Sequence, residues 1–323
     1  MKSKKSGGDA ASSSTAEDSA VSTVSGPVAI LGRPNVGKST LLNLLVGEKL
    51  AIVTPKPQTT RNRIVGVWNG PAGQIVFVDT PGVHGSSKAL NRFMNQEALG
   101  TIDEVDAALL VVDAGERRPG NEEREILRNL AAARKPTVLA LNKVDRVKDK
   151  GALLPLLVDW EQTAPFKALV PVSALKNKNI EPLIAELCKL LPRGEPLYGP
   201  DMLTDRTERF LASELIREQI FLKTRQELPY AVAVDIEAWE ERKRPGTEDV
   251  VDVVITATIL VERDSQKAIV VGAGGSMIRD VGTIARAEIS ALLGHPAHIK
   301  LHVKVDSEWT TSPAALNRLG YRP

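Results

Sequence analysis

The 323-residue chain reads as two modules: an α/β module on a mixed, mostly parallel sheet with helices on both faces, then a smaller α+β module. Three observations predict this. Short apolar runs at 28–31, 75–78, 138–141 and 169–172 end in polar or Gly-rich turns, as strands of an open α/β sheet do. A breaker-rich stretch, Leu191-Pro192-Arg193-Gly194-Glu195-Pro196-Leu197-Tyr198-Gly199-Pro200, interrupts the pattern. Beyond it lie a helical repeat, an 11-residue apolar run at 251–261 and a strictly alternating strand. The expected divisions are a disordered tail at 1–26, the α/β module at 27–191, a linker at 192–203 and the second module at 204–323.

The first strand, Val28-Ala29-Ile30-Leu31, runs into Gly32-Arg33-Pro34-Asn35-Val36-Gly37-Lys38-Ser39-Thr40 and then into the leucine-rich 41–45. Strand, Gly-rich turn and helix in that order make a P-loop, whose backbone N–H groups crowd round phosphates at the positive end of a new helix. Lys38 is expected to reach the β/γ-phosphates and the Ser39 hydroxyl to ligate Mg²⁺. The strand Val138-Leu139-Ala140-Leu141 ends in Asn142-Lys143-Val144-Asp145, where ligands of such sheets bind. A carboxylate at Asp145 accepts from both N1–H and the 2-amino group of guanine, and adenine offers neither donor there, so the pattern selects GTP over ATP. Ser173-Ala174-Leu175, after another apolar run, fits a loop laid against the base.

Between these lies Ile75-Val76-Phe77-Val78-Asp79-Thr80-Pro81-Gly82. Asp79 is placed to hold Mg²⁺ through water, and the Gly82 N–H to sense the γ-phosphate. The polar segment Pro55-Lys56-Pro57-Gln58-Thr59-Thr60-Arg61 has no apolar periodicity and reads as a loop. Its threonines offer the second hydroxyl ligand to Mg²⁺, with Thr60 favoured over Thr59. Lys38, Thr60 and Gly82 are thus the expected catalytic set, and Ser39, Thr60 and Asp79 the expected metal set. After Gly82 comes Val83, where Ras-like GTPases place a Gln that orients the attacking water. An apolar side chain cannot do this, so slow intrinsic hydrolysis is expected, aided by backbone, a cation or a partner. Asn35 is a candidate ligand for a K⁺ ion acting as an arginine finger would.

In the second module, Leu211, Leu215, Ile216 and Ile220 recur at helical spacing, and Val232, Val234 and Ile236 alternate with Ala233, Asp235 and Glu237. Then come the 251–261 strand, Gly272-Ala273-Gly274-Gly275, a helical stretch beginning Ser276-Met277-Ile278-Arg279, and a strand with His298, Lys300, His302 and Lys304 on one face. Helix, two strands, a GxxG turn between helices and a last strand is the order of a type II KH domain, whose GxxG loop clamps an RNA backbone. Gly272, Ala273, Gly274, Gly275, Ile278, Arg279, Lys300 and Lys304 are its candidate RNA contacts.

From about residue 28 to Tyr321 the chain resembles the Era family, the Era-like members of the TrmE-Era-Der GTPases. The resemblance rests on residues 32–39, Pro57-Gln58-Thr59-Thr60-Arg61, Asp79-Thr80-Pro81-Gly82, Asn142-Lys143-Val144-Asp145, Leu228-Pro229-Tyr230, Trp309 and Leu319-Gly320-Tyr321. It implies GTP hydrolysis coupled to maturation of the 30S ribosomal subunit, with the KH domain on 16S rRNA near its 3′ end. It also implies a cytoplasmic protein with some peripheral contact with the inner membrane. One departure stands out: family members commonly carry a basic residue in or after the GxxG turn, and here Ala273, Gly274, Ser276 and Met277 are uncharged. Its loss weakens the salt-dependent part of binding more than base selection.

Composition bounds the rest. The formal charge is only +2, so any basic surface is local. Cys188 is the single cysteine, which rules out an intrachain disulfide and fits core packing. Four scattered histidines, His84, His295, His298 and His302, make no metal site. The Ser/Ala/Gly-rich start, with Lys2, Lys4 and Lys5, has too little apolar surface to offset ordering entropy. No apolar run approaches the roughly 18 residues of a membrane span. A monomer with no DNA partner is expected. Two alternatives stand beside the GTP-gated switch: an rRNA chaperone that only senses GTP, and a membrane-associated signalling GTPase with a protein-binding KH-like domain.

Overall fold

A computed structural model describes residues 23–56, 59–83, 89–224, 228 and 232–321. Residues 1–22 with Lys2, Lys4 and Lys5, Pro57 and Gln58, His84, and Pro229 and Tyr230 lie outside the described residues. The first module is a six-stranded sheet of β1 (Val24–Leu31), β2 (Ile64–Gly70), β3 (Gly73–Asp79), β4 (Ala107–Asp113), β5 (Thr137–Asn142) and β6 (Ala168–Pro171). Their spatial order is β2-β3-β1-β4-β5-β6. Only β2 runs antiparallel to its neighbour, because a two-residue turn joins it to β3. The other pairings are parallel.

The near-continuous apolar strands are explained by burial on both faces. Val28, Ile30, Phe77 and Leu109 pack on one side with α1 (Lys38–Val46) and α5 (Ile180–Cys188). Ala29, Leu31, Val78 and Leu110 pack on the other with α2 (Ala89–Glu104), α3 (Asn121–Ala132) and α4 (Leu153–Glu161), where Trp160 is fully buried. Cys188 sits partly buried against the first of these cores.

One boundary differs from that drawn on composition, and the linker makes contacts that composition does not reveal. β1 starts at Val24, inside the segment assigned to the tail, because Val24, Ser25 and Gly26 join the ladder to β3. A serine and a glycine look like tail residues, yet a strand needs only their backbone here. The linker is also not a free tether. Pro192 O accepts from Ser25 N (3.0 Å), the Gln74 amide both donates to Tyr198 O and accepts from Tyr198 N (2.9 Å each), and Leu203 O accepts from Val67 N (2.9 Å).

The second module begins with α6 (Glu208–Lys223), capped by the Thr207 hydroxyl, followed by β7 (Val232–Lys243) and β8 (Val250–Val261). Then come α7 (Asp264–Val271), α8 (Ser276–Leu293), β9 (Ala297–Val305) and a short α9 (Pro313–Arg318). The sheet order is β7-β8-β9, with β8 and β9 parallel. α7 and α8 together make a 30-residue segment apolar enough on average to span a membrane, but the left-handed Gly272, Gly274 and Gly275 break it into two helices. Ala212, Ile216, Ile255, Ile259, Ala285 and Ile289 form its core.

Candidate nucleotide site and nucleic-acid interface

The C-terminal ends of β1, β3 and β5 converge, as an open α/β sheet requires of a ligand site. Gly37, at φ 102°, starts α1, and a Cβ there would stand 2.4 Å from Asn142 Nδ2. Gly32 is held as tightly: its Cβ would meet Val111 O at 2.3 Å. Lys38 is buried within the turn, its Nζ donating to Gly32 O (2.8 Å) and Arg33 O (3.0 Å). Burial pushes its pKa down to about 8, with the Asp79 charge opposing. Arg33 ties the turn to the start of α3 through Glu116 (2.8 Å) and Glu123, an anchor that motif reading does not reveal.

Ser39, Thr60 and Asp79 meet at one point. Ser39 Oγ donates to Asp79 Oδ2 (2.8 Å) and lies 2.7 Å from Thr60 Oγ1. Thr59 turns elsewhere, its hydroxyl donating to Lys56 O and touching that of Thr54, each at 2.7 Å. Asp79 is completely buried, and its Oδ1 has no hydrogen-bond partner among the described residues. Burial raises this carboxyl to about 6 against the pull of Lys38 and Ser39. An unpartnered buried carboxylate oxygen beside two hydroxyls is a donor set of hard oxygens, which fits Mg²⁺. Pro34, Asn35 and Gly82 line the same pocket, and a Cβ on Gly82 would strike Pro34 N at 2.7 Å. Thr80 instead turns inward, its hydroxyl donating to Ile30 O (2.9 Å), and Val83 is fully buried among apolar groups. The Asn35 amide reaches across to Pro55 O at 3.1 Å.

Next to it, Gly37, Thr40, Asn142, Lys143, Asp145 and Ala174 line a hollow of about 140 Å³. Asn142 organises it: Nδ2 donates to Val36 O (2.9 Å) and Oδ1 accepts from Ala174 N (3.0 Å). The Ser173 hydroxyl donates to Asp145 Oδ1 at 2.5 Å and holds that carboxyl below its usual range. Asp145 is therefore a fixed, ionised acceptor. Lys143, at φ 64°, stretches to Asn35 O (2.5 Å) and to Asp113 (2.8 Å).

In the second module the glycine turn at 272–275 joins α7 to α8. A Cβ on Gly272 would collide with Met277 at 2.6 Å, whereas Gly274 and Gly275 open to free space. Beside it runs a groove of about 360 Å³ lined by Ile278, Arg279, Gly282, Arg286, Ile299 and Leu301. Arg286, absent from the candidate set, lies two helical turns beyond Arg279, a spacing legible in the sequence. Lys300 and Lys304 are not in this groove. Strand alternation turns Ile299 and Leu301 toward the helices, so the two lysines emerge on the opposite face of the sheet.

The modules share an interface centred on the Thr60 loop. Arg61 is buried against the second module, donating from Nη1 to Val232 O (2.7 Å), with its guanidinium over the rings of Phe221 (5.8 Å) and Trp309 (5.6 Å). Arg217, paired with Glu214, donates to Thr59 O at 2.6 Å. Glu218 accepts from Val53 N (2.8 Å) and from Lys49 (2.5 Å). Leu90, Phe93 and Met94 of α2 pack with Leu260, Trp309, Leu316 and Tyr321. Both segments that follow nucleotide-site residues thus touch the second module.

This geometry agrees with known proteins. Residues 27–143 match the family model described as 50S ribosome-binding GTPase, and residues 227–310 match the KH domain. GTPase Era of Geobacter metallireducens is 46% identical over 297 residues, covering 92% of this chain and 97% of that protein. GTPase Era of Xanthomonas campestris pv. campestris is 48% identical over 298 residues, with the same coverage. The chain belongs to the Era family of GTPases. An Aquifex aeolicus Era variant bound to GDP and AlF₄⁻ superposes at a TM-score of 0.88 with 37% identity, over 93% of this chain and all of that one. An Era in complex with MgGDPNP and nucleotides 1506–1542 of 16S ribosomal RNA superposes at 0.87, with the same identity and coverage. As an Era-family member the chain is a GTPase that carries a KH domain.

Proposed function

We propose that this chain is a GTP-hydrolysing switch that binds 16S rRNA near its 3′ end through the groove beside Gly272–Gly275 and assists maturation of the 30S subunit. The observation that carries the reading is the shared interface: the loop bearing Thr60 is held on the KH side by Arg61 and Arg217. Whatever moves Thr60 toward a nucleotide moves those contacts too. The Era bound to MgGDPNP and 16S rRNA supports both the ligand and the RNA.

Ser39, Thr60 and Asp79 would hold Mg²⁺, which supplies charge neutralisation at the β- and γ-phosphates when bound. Lys38 binds those phosphates, and its burial is relieved by their charge. The Gly82 N–H orients the γ-phosphate, Asn142 and Ala174 frame the base, and Asp145 reads its amino edge. Val83, being buried, positions no water, so turnover rests on backbone groups, on the macromolecular partner, or on a cation that Asn35 would help to hold and that would supply positive charge at the phosphates.

The test is binding to a short RNA matching the 3′ end of 16S rRNA, with GTP analogue, GDP or no nucleotide, across a salt series. Nucleotide-dependent affinity is expected. Binding that ignores nucleotide refutes the switch, and absence of binding refutes the RNA assignment.

A further inference from the structure

Away from the nucleotide pocket and the KH groove, residues 116–134 carry five basic side chains, all arginine: Arg117, Arg118, Arg124, Arg128 and Arg134. All five are exposed, and none has an ion pair among the described residues. The reason lies in the site already described. Of the four carboxylates in this stretch, Glu116 and Glu123 are taken by Arg33 of the P-loop, which leaves Glu122 and Glu125 beside five arginines. In a chain of net charge +2 this leaves a local excess of positive charge on one side of the GTPase domain.

Arg118, Arg124 and Arg128 rim a groove of about 940 Å³ between α3 and α4, with Leu127, Ala131 and Pro165 in its lining. Arg124 and Arg128 are one helical turn apart and face the same way. Glu125 and Asp159 also line the groove, so three guanidiniums stand against two carboxylates. That mixture discriminates between occupants. The two carboxylates repel an acidic protein segment and an RNA phosphate alike, but an acidic segment brings neither amine donors to them nor flat rings to the apolar lining. An RNA strand presents phosphates to the arginines, and exocyclic base amines to the carboxylates, while apolar lining suits the faces of unstacked bases. Arginine is also the cation that binds phosphate bidentately and stacks on bases, which lysine does poorly.

We propose that the α3–α4 groove is a second RNA-binding site, on the GTPase domain, that takes an unpaired stretch of rRNA. It deepens the functional reading above and rests on it. The KH groove selects sequence, and this groove adds affinity for RNA longer than the KH site can hold.

The experiment compares the full chain with the triple variant Arg118→Gln, Arg124→Gln, Arg128→Gln on three probes: the short 3′-end RNA, protein-free 16S rRNA, and 30S subunits. Fluorescent GDP affinity confirms that the variant is folded. The expected result is short-RNA affinity unchanged within about twofold and at least a tenfold loss on both 16S rRNA and 30S. The slope of log K against log salt on 16S rRNA becomes shallower by about 2, since each lost phosphate contact removes about 0.7 to 0.9. Unchanged affinity for 16S rRNA and 30S overturns the proposal. A loss on 30S alone also overturns it and assigns the groove to a protein. A wild-type chain that fails to bind the short RNA sinks the functional reading instead, independently of the variant.

Discussion

Replacing Arg61 by alanine tests whether the nucleotide loop and the KH domain are mechanically one unit. Its guanidinium makes a 2.7 Å charged hydrogen bond to Val232 O and lies over two aromatic rings at 5.8 and 5.6 Å. The hydrogen bond contributes about 1.5–3 kcal/mol and each ring contact about 0.5–2 kcal/mol. Against this stands the cost of burying a guanidinium, visible as a lowered pKa driven by burial. The net loss is about 2–4 kcal/mol. It should be felt first at the interface, because a two-domain chain opens locally before it unfolds globally. Hydrogen exchange of the amides at 49–56 and 59–63 is the assay. Protection there should fall by roughly 30- to 700-fold, the equivalent of that energy at 1.4 kcal/mol per decade. The strands β4 and β5 should keep theirs, and Arg61→Met should recover part of the loss by filling the same space. Unchanged protection at 49–63, with unfolding free energy within about 0.5 kcal/mol of wild type, would refute the coupling.

Other expectations follow from the site. With the Asp79 pKa raised to about 6 from 3.8, the folded nucleotide-free protein binds a proton between these values that the unfolded chain does not, so stability falls as pH rises through that window. Mg²⁺ needs the ionised form, and Mg·GDP affinity measured by fluorescence should drop about tenfold from pH 7.5 to pH 5, an effect that Asp79→Asn abolishes. Asp145→Asn should weaken GTP by about 10- to 100-fold and admit xanthosine triphosphate, as calorimetry with both nucleotides would show; an unchanged preference places base reading elsewhere. Gly275 sits at φ 76°, a left-handed conformation that Asp adopts more readily than most residues, and a Cβ there has room, so Gly275→Asp should set an anion against RNA phosphate and reduce RNA affinity at least tenfold while GTP affinity holds. Equal GTPase rates in potassium and sodium buffers would remove Asn35 as a cation ligand.

Much of the nucleotide pocket was legible because its motifs are local. A P-loop, an Asp at a strand end and Asn142 to Asp145 each encode their geometry within a few residues, and the parallel sheet brings their ends together. Thr60 against Thr59 was legible only as a preference, since adjacent residues in a loop differ by direction rather than by pattern. What pattern reading missed is nonlocal. Arg61 and Tyr321 are 260 positions apart yet within 3.5 Å, and nothing in either neighbourhood announces the partner. Lys300 and Lys304 show the opposite failure. Their alternation was read correctly, but which face carries the groove depends on where α8 packs, and periodicity alone does not say. The attachment of the linker to the sheet was not legible for a third reason: its hydrogen bonds come largely from backbone carbonyls, which every composition supplies.

That stitched segment has a consequence for how the chain avoids sticking to itself. β2 lies at the margin of the six-stranded sheet, where unpaired backbone groups invite a foreign strand. Leu203 O occupies the Val67 N–H, and Pro200 O accepts from the Asn69 side-chain amide beside it, so part of this margin is already blunted by the protein's own connection between modules. A GTPase fragment cut at residue 191 would expose it and invite edge-to-edge association, whereas one extended to residue 203 would carry its own guard. The tether between the two domains therefore also works as a built-in safeguard of solubility for the first.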